Sequence, residues 1–382
     1  MNIHISTKRL IISSFIIPIS LFLLFGFETV YPATQKTVNR PKIFRKQVFI
    51  EYFGAFGNPA IDKRWFSWRR KIYKYTSEYY EPPNHSPIQL FPRLGLYSSH
   101  DKTLLRHHCA MLYEIGVDNI VLQWKGANRT DDYEEPEYAG YTDETLKLLL
   151  DVASEFQLKV TVRIPLYESR SNESVFEDIV YLHKKYFNHS SYLKINEKPA
   201  VFIYDPHEIN NLYLAIQQLK ENSINCFFVG SINTKNHVGI AVEDGFDGVF
   251  TYFASEASTW CSNISHWKIL KKDAKDRGII FIPSVGPGYN DEKIDRWRND
   301  NGRSREGGQY YDRMWKAAIE TRPKFVVINS FNNWMETTAI EPVVEKQGFR
   351  FDDNIWSGSG TSGDSFMEMT KKWIDIFKGF KQ

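Results

Sequence analysis

Residues that could recognise and cleave sugars follow several short apolar runs of this 382-residue chain. Aromatic rings offer an apolar face to the C–H faces of sugars, while carboxylates and amides bond sugar hydroxyls. Residues 330–341 combine a Trp, two Asn and two Glu, and Glu336 is the strongest candidate for acid–base chemistry. This pattern favours a carbohydrate ligand over a lipid or a phosphate. The other candidates that follow the runs are Trp124, Asp205, Tyr252, Glu256, Tyr289 and Trp334.

Each candidate also has a structural interpretation. A Trp at the end of a strand can pack in the core, and Asp205 can cap the helix that follows it. Glu341 precedes Pro342 and can be solvated. Arg303 and Arg305 can clamp an anion, although solvated loop charges are the simpler interpretation.

Other chemistries have less support. His107 and His108 are adjacent on a predicted helix, so they point apart and cannot chelate one metal ion together. The chain has no G-x-S-x-G elbow and no glycine-rich phosphate loop. A formal charge of +2 lacks the basic excess of a nucleic-acid binder, and 15% aromatic residues exclude a disordered tail. We therefore predict no metal, no organic cofactor and no nucleic-acid partner. The chain has three cysteines, Cys109, Cys226 and Cys261. This number is too small for a disulfide-built scaffold or for a four-cysteine zinc site.

Eight apolar runs of strand length, rich in Val, Ile, Phe and Tyr, alternate with helical patterns. Leu146, Leu149, Leu150 and Ala153 show the helical spacing, behind the possible caps Thr142 and Asp143. Residues 231–244 form the weakest predicted helix. Eight strand–helix units predict an α/β fold, a (β/α)8 TIM barrel, with a doubly wound sheet as the alternative. A barrel places its site at the carboxyl ends of its strands. The runs are Val48–Phe53, Asn119–Trp124, Lys159–Ile164, Ala200–Tyr204, Cys226–Gly230, Gly248–Phe253, Ile279–Ser284 and Phe325–Ser330.

Residues 10–27 form an apolar run at the lower length limit of a membrane span. Lys8 and Arg9 before the run favour a cytosolic N-terminus, although basic residues within 36–46 oppose this orientation. A cleaved signal peptide is the alternative, but the run exceeds the usual 7–15 apolar residues. We predict a cytosolic tail (1–9), a transmembrane signal-anchor (10–27), a stem (28–46) and one lumenal barrel domain (47–382).

Five N-x-S/T sequons, together with the N-terminal run, favour the secretory pathway over a chance occurrence. In that compartment three cysteines leave at least one odd thiol, and Cys109 fits a buried position in a helix. The predicted glycosylation sites are Asn84, Asn128, Asn172, Asn188 and Asn263.

Several blocks of the chain resemble glycoside hydrolase family 99, the endo-α-1,2-mannosidases, in the same order from Val48 to Phe377. The blocks are residues 96–101, 245–254, 280–289, a stretch that includes Asn301, Arg303, Arg305, Gly308, Tyr310 and Tyr311, and residues 330–341. The resemblance implies a (β/α)8 barrel and a Golgi type II membrane protein that removes glucosylated mannose from N-glycans internally. It also implies retention of anomeric configuration through a 1,2-anhydro sugar.

In that mechanism one carboxylate takes the proton of the sugar 2-hydroxyl. A second carboxylate protonates the departing oxygen and then acts as a base toward water. The common retaining scheme differs, because there a carboxylate attacks the anomeric carbon directly. The resemblance implies that Glu336 is the acid/base. Position at the rim, together with the matched blocks, predicts the residues that contact the glycan: Trp124, Tyr252, Tyr289, Arg303, Trp334, Asp205 and Glu256.

The chain departs from the family at three strand ends. The family segment S-F-N-E-W-x-E has Asn333 in place of its first Glu, so an amide stands where the base is expected. Residues 163–167 lack a His and a Glu of the family, and Arg163 stands in place of the His. Residues 53–59 lack a Trp and several hydroxyls, with Phe53 in place of a Tyr. A missing base costs about 10²–10⁴ in rate.

Three hypotheses follow. The chain is an active endo-α-mannosidase-like hydrolase with a replacement base, Glu256 or Asp205; or an inactive, lectin-like glycan binder; or a hydrolase of a different glycan. We predict hydrolysis of N-linked, mannose-containing glycans in the Golgi membrane, with secretion after signal cleavage as the alternative location.

Overall fold

Nine strand segments form one nearly closed parallel sheet in the computed structural model of this chain, which describes residues 45–72, 77–129, 139–294, 301–347 and 364–380. Two shorter pairings accompany this sheet: β5 lies antiparallel to β6, and β2 pairs with β12. The strands are β1 Gln47–Tyr52, β2 Phe91–Pro92, β3 Asn119–Gln123, β4 Lys159–Ile164, β5 Lys194–Ile195, β6 Lys198–Ile203, β7 Phe227–Ser231, β8 Gly248–Phe250, β9 Ile280–Ile282, β10 Ser284–Val285, β11 Phe325–Ile328 and β12 Val343–Val344.

All eight predicted runs contain strands of the parallel sheet, whose order is β10-β11-β1-β3-β4-β6-β7-β8-β9. The seventh run is divided at Pro283, which has no N–H to donate to the ladder. β9 before the proline pairs with β8, while β10 after it pairs with β11. The divided run therefore joins the two ends of the sheet, and the architecture agrees with the predicted barrel rather than with the doubly wound alternative.

Helices connect the strands, and side-chain caps satisfy the first N–H groups of some of them. Asp101 caps α2 (Lys102–Glu114), and Ser171 forms a capping box with Ser174 in α4 (Asn172–Lys185). The predicted caps of α3, Thr142 and Asp143, lie instead in its first turn. The helices are α1 Pro59–Asp62, α2 Lys102–Glu114, α3 Tyr141–Glu155, α4 Asn172–Lys185, α5 Leu212–Glu221, α6 His237–Asp244, α7 Trp267–Asp276, α8 Gln309–Glu320 and α9 Ser365–Lys378.

Alternation along the strands divides the core into two layers. Phe49 of β1 faces the interior of the barrel with other large apolar side chains, whereas Val48 and Ile50 face the surrounding helices. Glu51 and Arg163 are also buried. Glu51 lies two residues beyond Phe49, which faces the interior, and Arg163 lies between two residues of β4 that face the helices. The upper part of the barrel interior is therefore polar.

The N-terminal predictions are outside this description. The tail, the signal-anchor and nearly all of the stem lie outside the described residues. Within the described ranges, no helix combines the length and apolarity needed to cross a membrane.

Candidate active site

The segment after β11, residues 329–342, is held in place by many hydrogen bonds. Ser330 Oγ lies 2.9 Å from Thr338 Oγ1 and accepts the backbone N–H of Asn333 at 2.8 Å. Arg305 donates to the carbonyl oxygens of Thr337 and Ala339, both at 2.7 Å. These bonds fix the two ends of a turn that carries Glu336, so its carboxylate has a defined position.

Glu336 is partly exposed and bonds directly to Asn333. The Asn333 amide nitrogen donates to Glu336 Oε2 at 2.7 Å, and the Glu336 carbonyl accepts the backbone N–H of Asn290 at 2.8 Å. Burial raises the pKa of Glu336 to about 7, against the lowering effects of Arg163 and of the Asn333 hydrogen bond. A carboxyl group with this pKa can both donate and accept a proton near neutral pH.

Sequence reasoning missed a pair of opposite charges beneath Glu336. Arg163 Nε donates to Glu51 Oε2 at 2.9 Å, and both side chains are buried, at 1% and 0% exposure. Each residue is a charge near the carboxyl end of an apolar run, which is the feature that could have revealed them. Asp291 was also missed, and its negative charge contributes to the raised pKa of Glu336.

Aromatic side chains surround this charged centre. Tyr252 is buried, and its ring centroid lies 4.7 Å from the Arg163 guanidinium and 4.7 Å from the ring centroid of Tyr204. Tyr289 is partly exposed, and its hydroxyl donates to Asp291 at 2.9 Å. Burial raises the pKa of both Tyr252 and Tyr289, and the negative charge of Glu336 raises it further. These phenols therefore stay protonated and can donate hydrogen bonds.

Arg303 lies beside Tyr289, because the two residues exchange backbone hydrogen bonds at 2.8 and 2.9 Å. The Arg303 Nε donates to the carbonyl of Glu256 at 2.8 Å, so Arg303 links two predicted contact residues. Arg303, Glu256 and Tyr289 are all partly exposed. The structure thus brings these three predicted residues to one part of the rim.

Trp124 and Trp334 have different surroundings, since each is only 1% exposed. The Trp124 indole donates to Asp143 at 2.9 Å, and the Trp334 indole donates to the Tyr97 hydroxyl at 2.9 Å. Their contact with a glycan stays a prediction, and their burial supports the core-packing interpretation.

Neither proposed replacement base bonds to Asn333. The Asp205 carboxylate accepts hydrogen bonds from Ser231 and Asn233, both at 2.9 Å. The backbone N–H of Glu256 donates to the Tyr310 hydroxyl at 2.8 Å. Within the described parts of the chain, the hydrogen bond of the Asn333 amide nitrogen goes to Glu336.

Two interpretations of loop charges were wrong. Arg305 is buried and holds the segment after β11, because its guanidinium bonds two carbonyls there; burial lowers its pKa to about 9. Glu341 is also buried rather than solvated, and it accepts the Tyr97 hydroxyl at 2.8 Å. Arg305 and Glu341 therefore hold the segment after β11 in place through buried hydrogen bonds.

The sequons differ in their surroundings. Asn84, Asn128 and Asn188 are exposed, whereas Asn172 lies in the first turn of α4. Asn263 is partly buried, and its side chain caps a short helix by accepting the backbone N–H of Ser265. Glycosylation at all five stays a prediction.

In the described ranges, no group of three His, Cys, Asp or Glu side chains is placed to hold a metal ion, and the three cysteines are buried thiols.

Sequence comparison identifies relatives over nearly the whole described chain. The model of the family described as "Glycosyl hydrolase family 99" matches residues 44–379. The glycoprotein endo-alpha-1,2-mannosidase of Mus musculus is 29% identical over 373 residues, which cover 91% of this chain and 79% of the relative. The glycoprotein endo-alpha-1,2-mannosidase-like protein of Mus musculus is 30% identical and covers 85% of this chain and 75% of its own.

Solved structures agree with these matches. The GH99 endo-alpha-mannosidase from Bacteroides thetaiotaomicron superposes with a TM-score of 0.78 at 30% identity, covering 87% of this chain and 98% of that one. A glycoside hydrolase-like protein superposes with a TM-score of 0.61 at 12% identity, which shows a shared fold only.

Proposed function

The chain belongs to glycosyl hydrolase family 99, and we propose that it is an endo-acting α-mannosidase that releases glucosylated mannose from N-glycans. The observation that carries the proposal is Glu336. This carboxyl group lies at the carboxyl end of a barrel strand, is bonded by Asn333, and has a pKa raised by burial to about 7.

Glu336 would supply two of the proton transfers, one to the departing glycosidic oxygen and one from the attacking water. In its protonated form it donates to the departing glycosidic oxygen as the bond to the anomeric carbon breaks. The sugar 2-oxygen then closes a 1,2-anhydro ring on that carbon, with retention of configuration after water opens the ring. The resulting Glu336 carboxylate accepts the proton of this water.

Asn333 limits the closure of the anhydro ring, which requires the sugar 2-hydroxyl to lose its proton. Its amide nitrogen is bonded to Glu336, so its oxygen can accept a hydrogen bond from the sugar 2-hydroxyl. An amide oxygen does not take up the proton, which must pass to solvent as the ring closes, and solvent must return a proton to the 2-oxygen when water opens the ring. We therefore propose turnover that is slower than with a carboxylate at this position, by about 10²–10⁴.

The same residue favours a second function. If the missing carboxylate abolishes chemistry, the rim of Tyr289, Arg303 and Glu256 would still offer an aromatic ring, a cation and an anion to sugar hydroxyls. The chain would then bind glycans without cleaving them. A hydrolase of a different glycan is the third possibility, and no contact of the described residues favours it.

The proposed location is the Golgi membrane, with the barrel in the lumen and residues 10–27 as the anchor. The apolar run and the five sequons support this location. Secretion after signal cleavage is the alternative, and protein sequencing of the mature N-terminus distinguishes the two.

The decisive assay uses purified full-length chain, a glucosylated mannose N-glycan, and two variants. We expect slow release of a glucosylated mannose fragment by the wild type, faster release by Asn333→Glu, and release by Glu336→Gln that is slower than the wild type by about 10²–10⁴. Proton NMR of the freshly formed product should show the α-anomer first. If neither the wild type nor Asn333→Glu cleaves the glycan while titration calorimetry detects binding, the glycan-binding function replaces the proposed one.

A further inference from the structure

Glu51 and Arg163 form a buried ion pair whose location does not favour a purely stabilising role. The pair joins β1 to β4 through one contact of 2.9 Å, between Arg163 Nε and Glu51 Oε2. A buried ion pair is often no more stabilising than apolar side chains of the same volume, because both charges lose their hydration. The neighbouring interior positions of these strands are apolar or uncharged, so an apolar pair would fit this region.

The contact is also incomplete. Glu51 Oε1 and Arg163 Nη2 are buried and have no hydrogen-bond partner among the described residues. A single contact holds the guanidinium in place but does not surround its charge with acceptors. The positive charge of Arg163 therefore remains available to act on neighbouring groups.

The pair lies directly beneath the segment after β11, which carries Glu336. The backbone N–H of Phe331, at the start of that segment, donates to the Glu51 carbonyl at 2.9 Å. The Arg163 guanidinium lies 4.7 Å from the ring centroid of Tyr252 and 5.6 Å from that of Tyr204. Beside burial, the negative charge of Glu336 raises the pKa of both phenols, so Glu336 and Arg163 act on the same two rings.

Charges from several elements act on Glu336. Arg163 lowers its pKa, whereas Asp291 and Glu51 raise it, and the effect of Arg163 is the largest of these three. The titratable and polar groups around Glu336 are Glu51 on β1, Arg163 on β4, Tyr204 after β6, Tyr252 after β8, Tyr289 and Asp291 after β10, and Asn333 in its own segment.

We propose that Glu51 is a positioning residue that holds Arg163 beneath the reaction centre, and that the charge balance of this pair controls the proton on Glu336. The proposal deepens the proposed function, on which it rests, because the controlled carboxyl group is the proposed acid. Arg163 without Glu51 would hold Glu336 in its ionised form, which cannot donate a proton to the leaving group. Glu51 thus offsets the cation enough for Glu336 to remain an acid near neutral pH.

The test compares three variants of the full-length chain: Glu51→Gln, Arg163→Met and the double variant. Titration of carboxyl ¹³C signals in glutamate-labelled protein follows Glu336, whose signal is the one missing from Glu336→Gln. We expect the midpoint to fall by about one pH unit in Glu51→Gln, where Arg163 is unopposed. It should rise in Arg163→Met, and the double variant should lie well above Glu51→Gln.

Thr161→Val is the matched control, because Thr161 is a buried interior residue of β4 that bonds the Ala200 carbonyl and carries no charge. Its Glu336 midpoint should equal that of the wild type. Where hydrolysis is measurable, the alkaline limb of the pH profile of kcat/KM should move in the same direction as the NMR midpoint.

Opposite shifts in the two single variants support the proposal, since a purely structural role moves the midpoint in neither or in the same direction in both. Equal midpoints in all folded variants overturn it. If a single variant does not fold, the double variant, which removes both charges, is compared with the wild type and must show a raised midpoint. Because the titration needs no turnover, an inactive wild type would contradict the proposed function and leave this test intact.

Discussion

Two carboxylates of the segment after β11, Glu336 and Glu341, stand in opposite surroundings. Glu336 is partly exposed at the mouth of the barrel, and its hydrogen-bond donor is the Asn333 amide at 2.7 Å. Glu341 has 0% exposure, accepts the Tyr97 hydroxyl at 2.8 Å, and lies 3.3 Å from His108 Nε2. The same residue type therefore serves an accessible centre in one case and a buried network in the other.

The buried network extends well beyond Glu341. His108 Nδ1 lies 2.8 Å from the Tyr52 hydroxyl, and the Tyr97 hydroxyl also accepts the Trp334 indole N–H. These contacts tie α2, β1 and Tyr97, which precedes α2, to the segment after β11. The comparison teaches that the chemistry of a carboxylate depends on its access and partners, so a change at Glu336 should alter rate and a change at Glu341 should alter stability.

The largest effect is expected for Glu336→Gln. Because the amide cannot donate a proton to the leaving oxygen, kcat/KM should fall by about 10²–10⁴. At pH 5, where Glu336 is protonated in the folded chain, the melting temperature should stay close to that of the wild type, since Gln has nearly the same shape. Steady-state kinetics and thermal denaturation measure the two quantities, and unchanged kinetics in the variant would remove Glu336 from the mechanism.

Glu341→Ala should show the reverse behaviour, with a loss of about 3 kcal/mol in the free energy of unfolding. The substitution leaves the buried Tyr97 hydroxyl without its acceptor and removes the carboxylate that lies 3.3 Å from His108 Nε2. Urea denaturation measures the loss, and Glu341→Gln, which keeps an acceptor, should lose less. A wild-type denaturation midpoint in Glu341→Ala would show that the buried network does not stabilise the fold.

The pH dependence sharpens the same comparison. Glu336 must be protonated to act as the acid, and its pKa is about 7, so kcat/KM should fall about tenfold per pH unit above pH 7.

The raised pKa of Glu336 also means that folding favours the protonated form, so this group's contribution to stability is lost as pH rises through 7. Denaturation of wild type and Glu336→Gln at pH 5 and pH 8 should show this loss in the wild type alone.

The barrel could be predicted from sequence because its strands are buried on both faces. Each strand is therefore an almost continuous apolar run, and all eight runs were identified. The division of the seventh run at Pro283 was not predicted, because its two halves pair with different neighbours, and that pairing depends on how the sheet closes.

The site was predictable only where sequence position determines it. Glu336 and Asn333 belong to one turn, so their proximity follows from three residues of separation. The Glu51–Arg163 pair joins residues 112 positions apart, and its register depends on the tilt of the strands. The sequence likewise does not determine whether a Trp at the end of a strand is buried or exposed, because packing of the neighbouring helix decides whether the ring is covered.

The smallest effect is expected for Trp124→Phe, which tests that ambiguity directly. Asp143 would lose the indole donor but keep the hydroxyls of Tyr181 and Tyr186, at 2.7 and 2.9 Å. The free energy of unfolding should therefore fall by about 1 kcal/mol. The KM for the glycan should not change, because the buried ring offers it almost no surface. Tyr289→Phe is the comparator at a partly exposed position, and its KM should rise. If KM rises as much in Trp124→Phe, the ring contacts the glycan after the covering side chains move, and Trp124 belongs with Glu336 among the accessible residues rather than with Glu341.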